Sequence, residues 1–261
     1  MKILFLGDVF GKPGRNLVAD QLPYLREEFH VDFCIANGEN IAQGRGLTEK
    51  TANALFNAGV DLLTSGNHLW DQQGVKDYLP REPRILKPMN YPEQALGTDV
   101  YFFQSEGTPV LAVFCLIGQA FMGAANSPFE TAARILPDIQ ERTHSIIVDI
   151  HAEATAEKRA LAHFLNGSVS AVIGTHTHIQ TADEEILPGG TAYITDVGMT
   201  GPHDSVIGIR KEIILEKMTT GMPIRYEVAE EGLQINAVLI DIDSDTGKAL
   251  SILRIRRKVT E

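Results

Sequence analysis

Cysteine is nearly absent from the 261 residues: only Cys34 and Cys115 occur. Two distant cysteines cannot build a disulfide framework. They also exclude zinc-finger and zinc-deaminase sites, which draw on several thiolates. Both stand in apolar runs, so buried core thiols are expected, in keeping with a reducing cytoplasm. Long apolar runs are missing too. None approaches the ~20 residues that cross a bilayer, and the stretch Ile3 to Leu6, ahead of Asp8, is too short for a signal-peptide core. Basic residues are in deficit: 23 Lys and Arg against 34 Asp and Glu give a net charge of −11. Nucleic-acid affinity comes largely from Lys and Arg, so no binding of long DNA or RNA is expected. A small anionic substrate remains compatible where bound metal ions supply positive charge locally. Gly7 to Lys12 places a lysine near glycines but lacks the spacing of a P-loop. No G-x-S-x-G elbow of a serine hydrolase is present.

What remains is an ordinary globular mixture. Hydrophobic residues make up 44% and charged residues 22%, which excludes a disordered tail or a collagen-like repeat. No internal repeat, low-complexity tract or long linker divides the chain, so one domain over residues 1–261 is expected. Strand and helix patterns alternate. Lys2 to Leu6, Val31 to Ala36 and Val60 to Thr64 read as strands buried on both faces. Arg15 to Phe29 has helical spacing interrupted by Pro23, a possible kink. Thr48 to Ala58 reads as a helix capped by Thr48 with Gly59 after its end, and Asp71 to Leu79 as a short helix. Residues 80 to 98 carry four prolines and read as a surface loop. Strands then follow at Val110 to Ile117, Ser145 to Ile150 and Val169 to Ile173, and helices at Pro128 to Glu141 and Thr155 to Leu165. Leu233 to Asp241 and Ala249 to Arg256 read as a hairpin joined by Ser244 to Gly247. The expected fold class is α/β, with two β-layers and flanking helices.

The polar residues that stand out lie at strand ends. They are Asp8, Glu39 with Asn40, Asn67 with His68, Asp149 and His151, and His176 with His178. Ligands of open α/β sheets bind outside the carboxyl ends of the strands. Singly, each has an ordinary reading. Asp8 could cap the next helix, Glu39 and Asn40 could be loop residues, and His151 a satisfied histidine. The pair His176 and His178 differs: two apart in an extended segment, both imidazoles point the same way, as ligation of one cluster requires. Five strands delivering Asp, Glu, Asn and His to one edge is not explained by packing. His30, His144 and His163 adjoin no motif and read as surface residues.

These blocks resemble the calcineurin-like metallophosphoesterases, whose pattern is G-D-x-H, G-D-x-x, G-N-H-[DE], a lone His and G-H-x-H. Here they read Gly7-Asp8-Val9-Phe10, Gly38-Glu39-Asn40, Gly66-Asn67-His68-Leu69, His151 and Thr175-His176-Thr177-His178, in order over residues 7 to 178. Three departures are informative. Phe10 replaces a metal-binding His, Glu39 the bridging Asp, and Leu69 the acid that follows the catalytic His. With Gly7 to Arg15, Asn37 to Asn40 and Gly198 to Ser205, they resemble the YmdB-type bacterial branch. That resemblance implies a four-layer α/β/β/α sandwich, a di-iron centre and 2′,3′-cyclic nucleotides as substrates.

Carried over residue by residue, the resemblance implies seven metal ligands and one catalytic residue. Glu39 bridges, Asp8 and His178 hold the first metal, and Asn67, His151 and His176 hold the second. Asn40 replaces the ligand lost at Phe10. Two ions ~3.5–4 Å apart then provide a bridging hydroxide and clamp the phosphoryl oxygens, and His68 serves as general acid. With Leu69 apolar, Asp71 is the off-pattern candidate to orient His68, and Arg45 is a loop arginine that could contact phosphate. The His, Asn and carboxylate set suits Fe or Mn and tolerates Zn. The expected function is hydrolysis of a cyclic phosphodiester such as 2′,3′-cAMP to a 3′-phosphate. Two alternatives are a phosphomonoesterase or phosphoprotein phosphatase with the same site, and a metal-binding regulatory protein acting through a protein partner. A cytoplasmic location follows, no membrane partner is expected, and homo-oligomerisation is left open.

Overall fold

A computed structural model describes residues 1–104 and 109–259. In chain order the elements are β1 (Lys2–Leu6), β2 (Asp8–Val9), α1 (Gly11–Phe29), β3 (Phe33–Asn37), α2 (Glu49–Asn57), β4 (Leu62–Thr64) and α3 (Val75–Tyr78). Then come β5 (Val100–Phe103), β6 (Leu111–Ile117), α4 (Pro128–Gln140), β7 (Ile146–His151), α5 (Thr155–Phe164) and β8 (Ala171–Thr175). The chain ends with β9 (Glu185–Ile186), β10 (Ala192–Ile194), β11 (Met199–Pro202), α6 (Lys211–Thr220), β12 (Leu233–Ile242) and β13 (Ala249–Lys258).

Two sheets result. The seven-stranded sheet runs β2-β11-β12-β1-β3-β4, with β13 also on β12, and the six-stranded sheet runs β5-β6-β7-β8-β10-β9. Their centres are parallel: β1 with β3 and β3 with β4 in one, β6 through β8 to β10 in the other. Strand alternation sends side chains to both faces. Ile3, Phe5 and Ile35 pack between the sheets against Val113, Ile147 and Ile173. Leu4, Leu6 and Cys34 pack outward on Leu17, Leu22 and Leu25 of α1 and Leu55 of α2. On the second sheet Phe114, Val148 and Val172 meet Ile135 of α4 and Leu161 of α5. The architecture is therefore the expected α/β/β/α sandwich, and both strand faces are apolar because both are covered. Cys34 and Cys115 are buried free thiols, and His30, His144 and His163 are exposed. No helix among the described residues is long and apolar enough to cross a membrane.

Several elements differ from their sequence patterns. Helix α1 begins at Gly11 and continues through Pro23 to Phe29; Pro13 falls in its first turn, where a missing N–H costs nothing. The segment expected as a surface loop is buried over Ile85 to Pro88 and again at Asn90. It bridges Leu63 and Cys115, so it joins β4 to β6. Strands β5, β9, β10 and β11 and helix α6 carried no readable signal. Strands of two to four residues hold too little period, and Met199-Thr200-Gly201-Pro202 has turn composition yet pairs with β2 through Met199 and Thr200 and with β12 through Gly201 and Pro202.

Helix α2 starts as expected. The Thr48 side chain accepts from Thr51 N at 3.2 Å, and Thr51 Oγ1 accepts from Thr48 N at 2.8 Å, a reciprocal capping box. Thr48→Ala should lower stability by about 1 kcal/mol. Urea unfolding checks this: the midpoint falls with the slope unchanged, whereas an unchanged midpoint contradicts the cap.

Candidate metal centre

Local chain chemistry brings the strand-end residues together. After β3, Asn37 Oδ1 accepts from Glu39 N at 3.2 Å and shapes the turn that presents Glu39 and Asn40. After β4, Gly66 precedes Asn67 and His68. A Cβ on Gly66 would lie 2.2 Å from His151 Cδ2 and 2.4 Å from Glu39 Oε2, so only glycine lets these groups close in. His151 is the last residue of β7, and His176 and His178 follow β8.

Those two histidines arrive by a different route from the one expected. They are not extended: His176 has φ 103° and His178 φ 66°. Left-handed backbone in a non-glycine residue costs energy and persists where surroundings enforce it. Here Asp196 accepts from Thr177 N at 3.0 Å and Thr177 Oγ1 at 2.8 Å, and pairs with buried Lys158 at 2.7 Å. Lys158 also donates to Thr175 O at 2.7 Å.

Ligand-type atoms of Glu39, His151 and His176 lie within 4.8 Å of one another. His151 Nε2 is 3.1 Å from Glu39 Oε1 and 3.0 Å from His176 Nδ1. On the other side, Asn40 Nδ2 contacts Glu39 Oε1 at 3.1 Å and His178 Nε2 at 3.2 Å. His178 Nε2 stands 3.8 Å from Asp8 Oδ1, beyond hydrogen-bond reach. Glu39 thus stands between two groups of donors. Asp8 Oδ2 accepts from His176 N at 3.2 Å, and Glu39 Oε2 from His68 N at 3.2 Å. Asn67 joins through its neighbour, its Nδ2 lying 3.2 Å from His68 Nε2. The seven candidate ligands and His68 are therefore connected in one network.

Charge follows from burial and pairing. Burial works to raise the Glu39 carboxyl, but the charge and hydrogen bond of His151, with help from His68, outweigh it and hold it at about 2. Burial works to lower His151, yet the facing Glu39 carboxylate raises it to about 9. His176 is pushed down to about 3 by burial and then by the charge of His151. Burial raises Asp8 above the ordinary carboxylate range, against opposing pulls from His178 and His151. A doubly protonated His151 facing Glu39 would fill the place a cation can take, since an imidazolium must give up one of its two protons to ligate.

The residues fit metal ions. Asp8 Oδ1 and Asn67 Oδ1 are buried acceptor oxygens without a hydrogen-bond partner among the described residues, a costly state that a cation relieves. Carboxylate, amide oxygen and imidazole suit Fe, Mn or Zn. Phe10 leaves no donor at its position: the ring is buried, stands edge-on to His178 at 5.5 Å between centroids, and is roomed by glycines. A Cβ on Gly44 or Gly208 would come within 2.6 or 2.5 Å of it.

Leu69 lies in the core, and the off-pattern Asp71 takes up His68, with Oδ2 2.7 Å from Nδ1. The same oxygen accepts from Arg45 Nε at 2.5 Å, so Arg45 pairs with Asp71. Partial burial works upward on Asp71, but hydrogen bonds from Arg45 and His68 hold it below the usual range. Glu153 Oε2 lies 3.2 Å from His176 Nε2 and was not singled out in the sequence. Its position two residues after His151 was the available signal.

A family model described as YmdB-like protein matches residues 4–255. The chain is 46% identical over 255 residues to the 2′,3′-cyclic-nucleotide 2′-phosphodiesterase of Bacillus subtilis (strain 168), covering 98% of this chain and 96% of that one. Two crystal structures superpose with TM-scores of 0.93. One is a hypothetical protein from Thermus thermophilus, 38% identical, with 99% of each chain covered. The other is described as a novel phosphatase from Mycoplasma pneumoniae, 34% identical, covering 99% of this chain and 93% of that one. With the match running through every strand-end block, the chain belongs to the YmdB-like family, a branch of the metallophosphoesterases that works with metal ions.

Proposed function

We propose that this protein is a dinuclear-metal phosphodiesterase that hydrolyses 2′,3′-cyclic nucleotides such as 2′,3′-cAMP to nucleoside 3′-phosphates. The observation that carries this reading is Glu39 standing between two donor groups, with orphaned oxygens of Asp8 and Asn67 in the same network. The substrate follows from the B. subtilis relative, whose name specifies the 2′ bond of a cyclic nucleotide. In this reading Glu39 is shared by both ions. Asp8, Asn40 and His178 hold the first, and Asn67, His151 and His176 the second. Iron is the resident metal, with manganese or zinc able to substitute. The 261 residues act as one domain in the cytoplasm on a small anionic diester, without a membrane or long nucleic acid as partner.

When bound, the two ions supply a water-derived nucleophile at neutral pH and neutralise charge at the phosphoryl oxygens. The chain supplies the proton. Asp71 accepts from His68 Nδ1 and fixes the ring, so Nε2 is the reactive nitrogen. In the resting arrangement Nε2 accepts from Asn67 Nδ2. A proton taken up from water at Nε2 breaks that contact, and the N–H then passes it to the departing 2′ oxygen, returning His68 to its neutral form. Arg45 Nε donates to the same Asp71 oxygen and limits its movement.

Asn40→Ala should weaken the first metal preferentially, because Phe10 cannot coordinate while the second ion keeps Asn67, His151 and His176. Anomalous scattering from crystals of the variant reads both positions; equal loss at both, or none at either, contradicts the assignment. The function itself is tested with 2′,3′-cAMP, bis-p-nitrophenyl phosphate and p-nitrophenyl phosphate under Fe or Mn. Turnover of the two diesters far above the monoester is expected, with 3′-AMP as the nucleotide product. Turnover of the monoester alone contradicts the reading.

A further inference from the structure

Behind the cluster lie two fully buried polar residues that no role so far uses, Asp149 in β7 and Thr175 at the end of β8. Asp149 Oδ2 accepts from Thr64 Oγ1 at 2.5 Å and faces Asn37 Nδ2 at 3.4 Å. Its Oδ1 accepts from Thr175 Oγ1 at 2.7 Å. A hydroxyl has one proton to give. With that proton committed to Asp149, Thr175 Oγ1 is left to accept from its other neighbour, His151 Nδ1, at 2.9 Å. The hydrogen of neutral His151 is thereby assigned to Nδ1. Its Nε2 lone pair is then turned toward Glu39 Oε1 and His176 Nδ1. The relay also spans the sandwich, since Asn37 and Thr64 belong to β3 and β4 of one sheet and Asp149 and Thr175 to the other.

We propose that Thr175 and Asp149 are positioning residues that fix the tautomer and ring orientation of His151 for metal binding. The inference rests on reading the cluster as a metal centre. A histidine that ligates through one nitrogen is usually held by a hydrogen bond at the other, and losing that bond costs about 10–100-fold in metal affinity. A hydroxyl polarised by a buried carboxylate is a strong acceptor for that bond. Thr175→Val removes the hydroxyl while keeping the shape of the side chain, and Thr175→Ser keeps the hydroxyl.

Equilibrium dialysis against Mn(II) separates the roles. The expected result is an affinity about 10–100-fold weaker at one position in Thr175→Val, with Thr175→Ser close to wild type. Unfolding of the metal-free proteins is measured alongside. A relay serving only to staple the sheets shifts unfolding in Thr175→Val and leaves its Mn(II) affinity at the wild-type value, which overturns the proposal. If Thr175→Val does not fold, the wild type answers directly. In the zinc-loaded protein, ¹⁵N NMR should find His151 protonated at Nδ1, and protonation at Nε2 overturns the proposal. A wild type that takes up no metal overturns the metal-centre reading and this one together, whereas wild-type affinity in Thr175→Val overturns this one alone.

Discussion

Glu39→Gln is expected to empty the site of metal and abolish phosphodiester hydrolysis while leaving the fold intact. Glu39 is buried and touches both donor groups, through Asn40, itself in contact with His178, on one side and His151 on the other. A carboxylate shared by two cations supplies negative charge to each, and an amide of the same shape supplies none. The loss of affinity should therefore exceed the ~10–100-fold typical of residues that only support a ligand. The fold should survive because the site lies at the ends of the strands, outside the three large apolar clusters of the sandwich. Metal analysis by mass spectrometry, with circular dichroism as the control, reads both parts. Wild-type metal content together with wild-type turnover would remove Glu39 from the bridge.

His68→Ala should behave in the opposite way, keeping its metals and losing rate. No ligand is removed, and the backbone N–H that donates to Glu39 Oε2 remains. The rate on 2′,3′-cAMP should fall by ~10²–10⁴, the usual contribution of a positioned general acid. The loss should depend on the leaving group. A ribose hydroxyl must receive a proton as its bond to phosphorus breaks, whereas p-nitrophenolate leaves as a stable anion. Hydrolysis of bis-p-nitrophenyl phosphate should accordingly suffer far less. Equal losses on both substrates would make His68 a packing neighbour and not an acid.

The sandwich and the site were legible in the sequence to different depths. A long strand buried on both faces, such as β6, writes a continuous apolar run that reads directly as a strand. Short strands write almost nothing: β11 looks like a turn because Gly201 and Pro202 lie in it, and its pairing is decided by β2 on one side and β12 on the other. The segment around Ile85 to Asn90 shows the reverse failure. Its prolines signal loop, but its apolar residues and Lys87 are buried between strands, and proline content does not report burial. The site residues were legible because their side chains have no packing reason to be at strand ends. Their geometry was not. His176 and His178 converge through left-handed backbone held by Asp196 and Lys158, which no two-residue alternation reveals. Asp71 was visible only as an off-pattern acid near His68, because the position after the histidine had gone to the core as Leu69.

Cyclic-nucleotide hydrolysis by this chain should depend on metal held at the Glu39 cluster. Stripping the purified protein with a chelator, returning Fe(II) or Mn(II) in increments and following 2′,3′-cAMP hydrolysis reads that dependence. The expected result is no turnover in the stripped protein, a rise that saturates near two equivalents of metal, and 3′-AMP as the product. Undiminished turnover in the stripped protein, or none at any metal loading, would contradict it.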